Sequence, residues 1–318
     1  MNSTAPSHPF GSRRYNAYND WVARTYGGRI QKVSVAAGFT CPNRDGTVGV
    51  GGCTFCNNAG FTPGYLDARA GIHSQIETGL GFLRRRYPDA RQFIAYFQSY
   101  SNTYGEIARL RECYEAALSH PAISGLAIGT RPDCLPDVVL DYLAELARDH
   151  HIELEIGVES TSDAALTRVN RGHDFACSAD AIRRAAARGL FVTAHLILGL
   201  PGESREEMLA GAARLSALPL RALKFHQLQL VRGTPLAREW QNTPSTVALL
   251  DEDAYLKLLA DFIERLSPDI LIQRLGSEVP PRLKLAPTWN LRLSELAPRL
   301  EALLAARGAS QGCRYQTI

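Results

Sequence analysis

The most constraining feature of this chain is a repeated change of period. Short apolar runs that read as strands fall at 29–35, 92–97, 123–128, 152–158, 191–198 and 222–230. Between them, amphipathic stretches read as helices at 72–87, 104–118, 136–149, 163–170 with 178–188, 203–215 and 251–266. Strands this far apart are not joined by tight turns, and an intervening helix makes successive strands parallel. Their near-continuous apolar character suits strands covered on both faces. The pattern predicts an α/β fold, a partial (βα)6 TIM-like barrel. Six units form an open three-quarter barrel more naturally than a closed eight-fold one. Three regions follow: a helical lead-in over 1–28 with a helix at 16–26, the (βα)6 core over 29–266, and a C-terminal extension over 267–318. The extension holds an extra strand at 270–274 and a helix at 294–307. No low-complexity linker divides them.

Residues 36–64 interrupt the rhythm with a long loop rich in Gly, Asn and Cys. It carries Cys41, Cys53 and Cys56, the only clustered members among seven cysteines. The loop follows the first strand, on the side of such a barrel where function concentrates. Glycines around the cysteines free the backbone to wrap a compact inorganic core. Three thiolates suffice for three irons of a [4Fe–4S] cubane and leave the fourth iron open to an external chelating ligand. The same spacing also suits a structural zinc with a fourth ligand from elsewhere. Cys113, Cys177 and Cys313 are isolated and read as ordinary thiols. Cys134, just after the third strand, is a candidate reactive thiol.

Composition sets the remaining bounds. Of 318 residues, 45% are hydrophobic and 21% charged, enough to bury a large core and too little charge for a disordered chain. A formal net charge of +3 permits contact with nucleic acid without demanding it. The polar stretch 1–14 lacks the apolar run of a signal peptide, and no apolar run is long enough to span a bilayer. The sequence therefore predicts a cytoplasmic protein without membrane contact. The basic runs Arg84–Arg85–Arg86, Arg183–Arg184 and Arg188 are weak support for nucleic acid, since charge runs usually mark a solvated face.

The motifs resemble a known family. Cys-Thr-Phe-Cys at 53–56, on the first βα loop of a βα barrel, resembles the radical SAM superfamily. The phrase KVSVAAGFTCPNRDGT resembles its YhcC/YtqA-like bacterial branch, related to the radical SAM domain of the elongator catalytic subunit. The likeness continues through YFQSYSNTY, GTRPDCL, EIGVES, VNRGH, LILGLPGE and RGTPLA, and ends near RLKLAPTW. It spans nearly the whole chain and disfavours zinc.

The resemblance implies a radical SAM barrel whose [4Fe–4S] cluster, on Cys41, Cys53 and Cys56, cleaves S-adenosylmethionine (SAM) to a 5′-deoxyadenosyl radical. It implies that Gln98, Ser99, Ser101 and Asn102, with Thr130, offer polar partners to the methionine end. Glu159 would face the ribose diol, with a helix-terminal acid as the plainer reading. Arg171 would pair the methionine carboxylate, a task its planar fork suits. His195 is either a ribose contact or a core histidine. Phe55 and Gly199 would lie near the adenine. Gly129 stands where the elongator family has a Glu, so roles on that strand do not transfer simply, and Arg131 and Asp133 can pair structurally. By analogy the substrate is a tRNA base, a wobble-uridine side chain. The rivals are a small metabolite or peptide substrate, or a non-catalytic Fe–S or zinc module. An electron donor such as flavodoxin or ferredoxin is implied as a partner.

Overall fold

The structure is a computed structural model that describes residues 9–60 and 62–316. Residues 1–8, part of the polar lead-in read above, lie outside the described residues. In chain order the elements are α1 (Tyr18–Tyr26), β1 (Ile30–Val35), α2 (Ile72–Arg86), β2 (Gln92–Phe97), α3 (Ile107–Leu118), β3 (Ile123–Thr130) and α4 (Asp137–Leu146). Then come β4 (His151–Glu159), α5 (Asp163–Arg168), α6 (Phe175–Ala187), β5 (Phe191–Leu198), α7 (Arg205–Ser216), β6 (Ala222–Gln227) and β7 (Leu230–Val231). The chain closes with α8 (Pro235–Asn242), α9 (Glu252–Arg265), β8 (Leu271–Arg274), β9 (Lys284–Ala286) and α10 (Leu293–Ala306).

Seven strands form one parallel sheet in the order β1-β2-β3-β4-β5-β6-β8. This is a curled, partial barrel with helices outside. The six βα units are present, and the extra strand suggested at 270–274 joins the same sheet as its seventh member. The far edge of β8 is covered by the lead-in: Ile272 N donates to Asn16 O at 2.7 Å, and Ala17 bridges Ile272 in parallel.

Side-chain alternation divides the sheet into two environments. The outer face supplies the apolar core, where Phe97, Leu126, Leu154, Val192 and Phe225 are fully buried with Tyr114, Leu259 and Phe262 from the helices. Each such side chain contributes about 1.5–3 kcal/mol by leaving water. The inner face is largely polar, and it builds the site.

Two elements differ from the sequence reading. The run expected to be one strand over 222–230 ends at Gln227 in β6. Leu230–Val231 instead turns to pair antiparallel with β9, a strand the sequence did not predict. The turn is held by side chains: Gln227 Nε2 and Gln229 Nε2 both donate to Ser277 O, at 2.7 and 2.6 Å. Helix α8 was also missed. Its signal was present locally, because Thr234 caps Ala237 N and Pro235 occupies the first turn. Capping also sets the start of α7, where Ser204 and Glu207 form a reciprocal box.

Candidate active site

The cysteine loop is pinned to the segment after α5. Asn43 Nδ2 donates to Asn170 O at 2.6 Å, Asn170 Nδ2 donates to Gly52 O at 2.9 Å, and Thr54 N donates to Val169 O at 2.9 Å. Gly52 sits at φ +84°, a backbone that L side chains avoid, and a Cβ there would meet Arg44 Nε at 2.9 Å. These bonds deliver Cys41, Cys53 and Cys56 to the wall of a cavity at the C-terminal end of the strands. The same cavity is lined by Phe55, Gln98, Thr130, Glu159, Arg171 and His195.

Arg171 is the best determined of these. It is 6% exposed. Its Nη2 donates to Gly157 O at 2.6 Å, its Nη1 lies 3.5 Å from Cys53 Sγ, and Glu159 Oε1 is 3.5 Å away. Burial works against its charge, but Cys53 and Glu159 more than compensate and hold its pKa above the usual guanidinium value. A Cβ at position 157 would lie 2.6 Å from both Arg171 Nη2 and Glu159 Oε1, so only glycine leaves room for this pair. Glu159 has φ +66°, a strained conformation for a non-glycine residue, of the kind that clusters at functional sites. Arg131 and Asp133 do pair: Nε and Nη2 reach the two carboxylate oxygens at 2.8 and 2.7 Å, while Arg131 Nη1 donates to Arg171 O at 2.8 Å.

Other candidates lie off the cavity wall. Asn102 is buried and donates from Nδ2 to Phe97 O and Gly129 O, at 3.0 and 2.8 Å, stapling the ends of β2 and β3. Ser101 Oγ bonds Thr130 Oγ1 at 2.9 Å and accepts from Arg131 N, so it supports Thr130 from behind. Ser99 Oγ bonds Thr62 Oγ1 at 3.3 Å. Gly199, at φ +90°, donates from N to Met208 Sδ and packs against Leu250. Cys134 is buried, and desolvation pushes its thiol up to about 12, which keeps it protonated and unreactive near neutral pH. These positions follow strand-end loops in sequence, but hydrogen bonding turns them into the scaffold.

Beneath the cavity the lumen holds a charge network that the sequence reading missed. Glu155 accepts from Tyr96 OH at 2.7 Å and is bridged by Lys32 and Lys224. It also bonds His195 Nε2 at 2.8 Å. Glu153 accepts from Lys32 Nζ and Thr193 Oγ1 at 2.8 Å, from Gln273 Nε2 at 2.7 Å and from Tyr18 OH at 3.2 Å. Burial penalises Glu155, but the two lysines hold its pKa well below the usual carboxylate range. Burial also draws Lys224 down to about 7. Direct bonding to Glu155 favours the charged form of both partners, so we read the two as an ion pair. His195 thus lines the cavity while its Nε2 bonds Glu155 in the floor. The alternation Glu153–Glu155–Gly157–Glu159 along one strand was the legible signal for this network.

Among the described residues no three His, Cys, Asp or Glu side chains are gathered closely enough to hold a metal ion as they stand, but the surroundings of Cys53 suit a thiolate ligand. Cys53 Sγ is approached by two donors, Asn43 Nδ2 at 3.6 Å and Arg171 Nη1, as suits a thiolate. Asn43 Oδ1 and Arg171 Nε are buried without partners. Burial raises the Cys56 thiol pKa, and a coordinating metal ion would offset that cost by holding the sulfur as thiolate.

Sequence comparisons give the class. The Radical SAM superfamily profile matches residues 41–213, and the Radical_SAM C-terminal domain matches 220–303. The chain belongs to the radical SAM superfamily, and it is an S-adenosylmethionine-dependent iron–sulfur enzyme. Within it, the chain is 33% identical to YtqA of Bacillus subtilis over 96% of this chain and 94% of that protein. It is 37% identical to YhcC of Escherichia coli K12, covering 86% of this chain and 87% of YhcC. A YhcC-like radical SAM family is thereby shown. A more distant relative, "tRNA uridine(34) acetyltransferase" of Dehalococcoides mccartyi, is 28% identical over 49% of this chain and 34% of that protein. Among solved structures, Elp3 of Methanocaldococcus infernus shares the fold with a TM-score of 0.64 at 15% identity, covering 89% of this chain and 64% of that one.

Proposed function

We propose that Cys41, Cys53 and Cys56 hold a [4Fe–4S] cluster and that Arg171 pairs the carboxylate of SAM beside it. The observation that carries this is convergence: three cysteines, a buried arginine and Glu159 meet in one cavity at the strand ends. When bound, the cluster and SAM supply reductive sulfonium cleavage and hydrogen abstraction. The chain's own residues orient these groups. Arg171 presents a fork already fixed by Gly157 O, Glu159 offers a carboxylate to a diol, and Phe55 offers an apolar face. Apolar cavity-wall residues Ile197, Leu228, Val231 and Val279 exclude water from the reacting centre.

The proposed substrate is a tRNA base, a wobble-uridine side chain. Support comes from the distant relative named a tRNA uridine(34) acetyltransferase and from the open barrel, whose edge leaves room for a base presented from a single-stranded loop. Flavodoxin or ferredoxin is the proposed electron donor, and the cytoplasm the proposed location. All seven cysteines are free, in keeping with a reducing compartment, and no helix among the described residues is long and apolar enough to cross a membrane. The test is nucleoside mass spectrometry of tRNA from cells with and without the gene. A wobble nucleoside missing from the deletion strain is expected. An unchanged profile, with tRNA from that strain failing to stimulate 5′-deoxyadenosine formation, overturns the RNA substrate and leaves the SAM chemistry standing.

A further inference from the structure

The segment after β2 changes character within a few residues. Ser101, Asn102 and Thr103 are buried and bonded into the scaffold, whereas Tyr100, just before them, is 45% exposed. Tyr100 also lines the cavity, so it stands at the solvent edge of the site. Its backbone has φ +68°. That left-handed conformation suits glycine or asparagine and strains a tyrosine. Bonds on both sides hold it there. Tyr100 N donates to Asn58 Oδ1 at 3.1 Å, Ser101 N donates to Thr40 O at 3.1 Å, and Ser99 Oγ bonds Thr62 Oγ1.

No ring contact of the side chain offsets this strain. Among the described residues two aromatic side chains are exposed, those of Phe82 and Tyr100. Phe82 stacks on Tyr65, with ring centroids 5.2 Å apart. Tyr100 stacks on no ring of the described residues, and its hydroxyl forms no hydrogen bond with them. Strained backbone persists where the surrounding structure imposes it, and it clusters where ligands are handled. A tyrosine ring aimed by its backbone and left open to solvent presents a flat face with little rotamer freedom to lose.

We propose that Tyr100 is the stacking platform of the substrate: its ring receives the face of the target base as the base enters the cavity. The inference rests on the tRNA-base reading and deepens it by naming a residue that holds the base. Exposure separates this role from SAM binding, because Arg171 and Cys53, beside the proposed cluster, are only 6% and 5% exposed. A base arriving from solvent meets the exposed ring first. Stacking uses the π-face that every base has and needs no charge on either partner.

The experiment measures binding of an unmodified anticodon stem-loop RNA, with uridine at the wobble position, to cluster-loaded, SAM-bound enzyme. A second RNA is abasic at that position. Wild type should bind the uridine RNA about tenfold more tightly than the abasic one, as expected for one stacked base. Tyr100→Gly removes the ring and suits the backbone. It should lose about the same tenfold for the uridine RNA and nothing further for the abasic RNA. Tyr100→Phe, which keeps the ring, should bind like wild type. SAM affinity and thermal stability should be unchanged in Tyr100→Gly. Equal binding of the uridine RNA by wild type and Tyr100→Gly, or losses that multiply in the abasic RNA, overturn the platform alone. So does a matching loss of SAM affinity, which would make the ring part of the SAM site, and so does loss of the fold, which would make it a packing residue. No preference of wild type for the uridine RNA overturns the tRNA-base reading as well. Conversion of SAM to 5′-deoxyadenosine by wild type without RNA, measured alongside, reports independently on the radical SAM chemistry.

Discussion

The two halves of the lumen are built in opposite ways. The lower half, around Glu153 and Glu155, is made mostly of strand residues, and its two carboxylates are engaged by several donors each, with Gln273 Oε1 and His226 Nε2 the groups left over. The upper half, around Arg171 and the cysteines, is made of loop residues at irregular backbone positions, with Arg171 Nε and Asn43 Oδ1 left unbonded. A satisfied network stabilises and positions, whereas unspent donors and acceptors mark the place where a ligand completes the structure. The contrast teaches that buried charge alone does not locate a site; unbonded groups that meet at a cavity wall with candidate ligands do.

The comparison breaks most sharply at the cysteines. Replacing Cys41, Cys53 or Cys56 by Ala should abolish the iron and sulfide content of anaerobically prepared protein. Cys113→Ala, in the outer core, should leave it intact. Retained cluster in any of the three variants would remove that residue from the ligand set.

In the lower lumen the expected loss is stability. Glu155→Ala leaves Lys32 and Lys224 facing each other without their shared carboxylate, and should cost about 3–5 kcal/mol in urea unfolding. A cost below about 1 kcal/mol, the level of an exposed ion pair, would show that this network is solvated instead of sealed.

Arg171→Ala should instead weaken SAM binding by about 1.5–3 kcal/mol while the cluster remains, since a charged hydrogen bond to the ligand is lost. Equilibrium binding of SAM to the reconstituted variant measures this. Unchanged affinity would move Arg171 from the ligand-binding half to the structural half of the comparison.

The smallest effect concerns Glu203, between β5 and α7. Its carboxyl is raised to about 7, chiefly by burial, although Ser160 Oγ donates to it at 2.7 Å. Because the folded pKa lies above the unfolded one, the neutral form favours folding. That contribution is full below the ordinary glutamate pKa and is lost as pH rises from there through about 7. Glu203→Gln should flatten the decline, by roughly 1–2 kcal/mol across that window. A parallel pH profile for the variant would show that the carboxyl is ionised in the folded protein at no cost.

By itself the sequence determined the alternation of strands and helices, the parallel sheet and the loop that carries the cysteines. Each of these depends on local period and composition, which a chain displays without being folded. Arg171, Glu159 and Phe55 became candidates through the resemblance of the sequence's motifs to the radical SAM superfamily. Tertiary structure decided the rest. The resemblance offered Ser101, Asn102 and Gly199, and a place just after β3 offered Cys134; the fold sets these residues off the cavity wall, bonded to or packed against other elements. The lower-lumen network joins residues from six strands and α1. The turn after β6 depends on Ser277, 50 residues from Gln227. The bulge that sets Lys224 opposite Arg274 exists only because β8 pairs with β6 out of even register. Such features rest on contacts between distant residues, and local pattern carries no record of which distant partner will satisfy, or fail to satisfy, a given polar group.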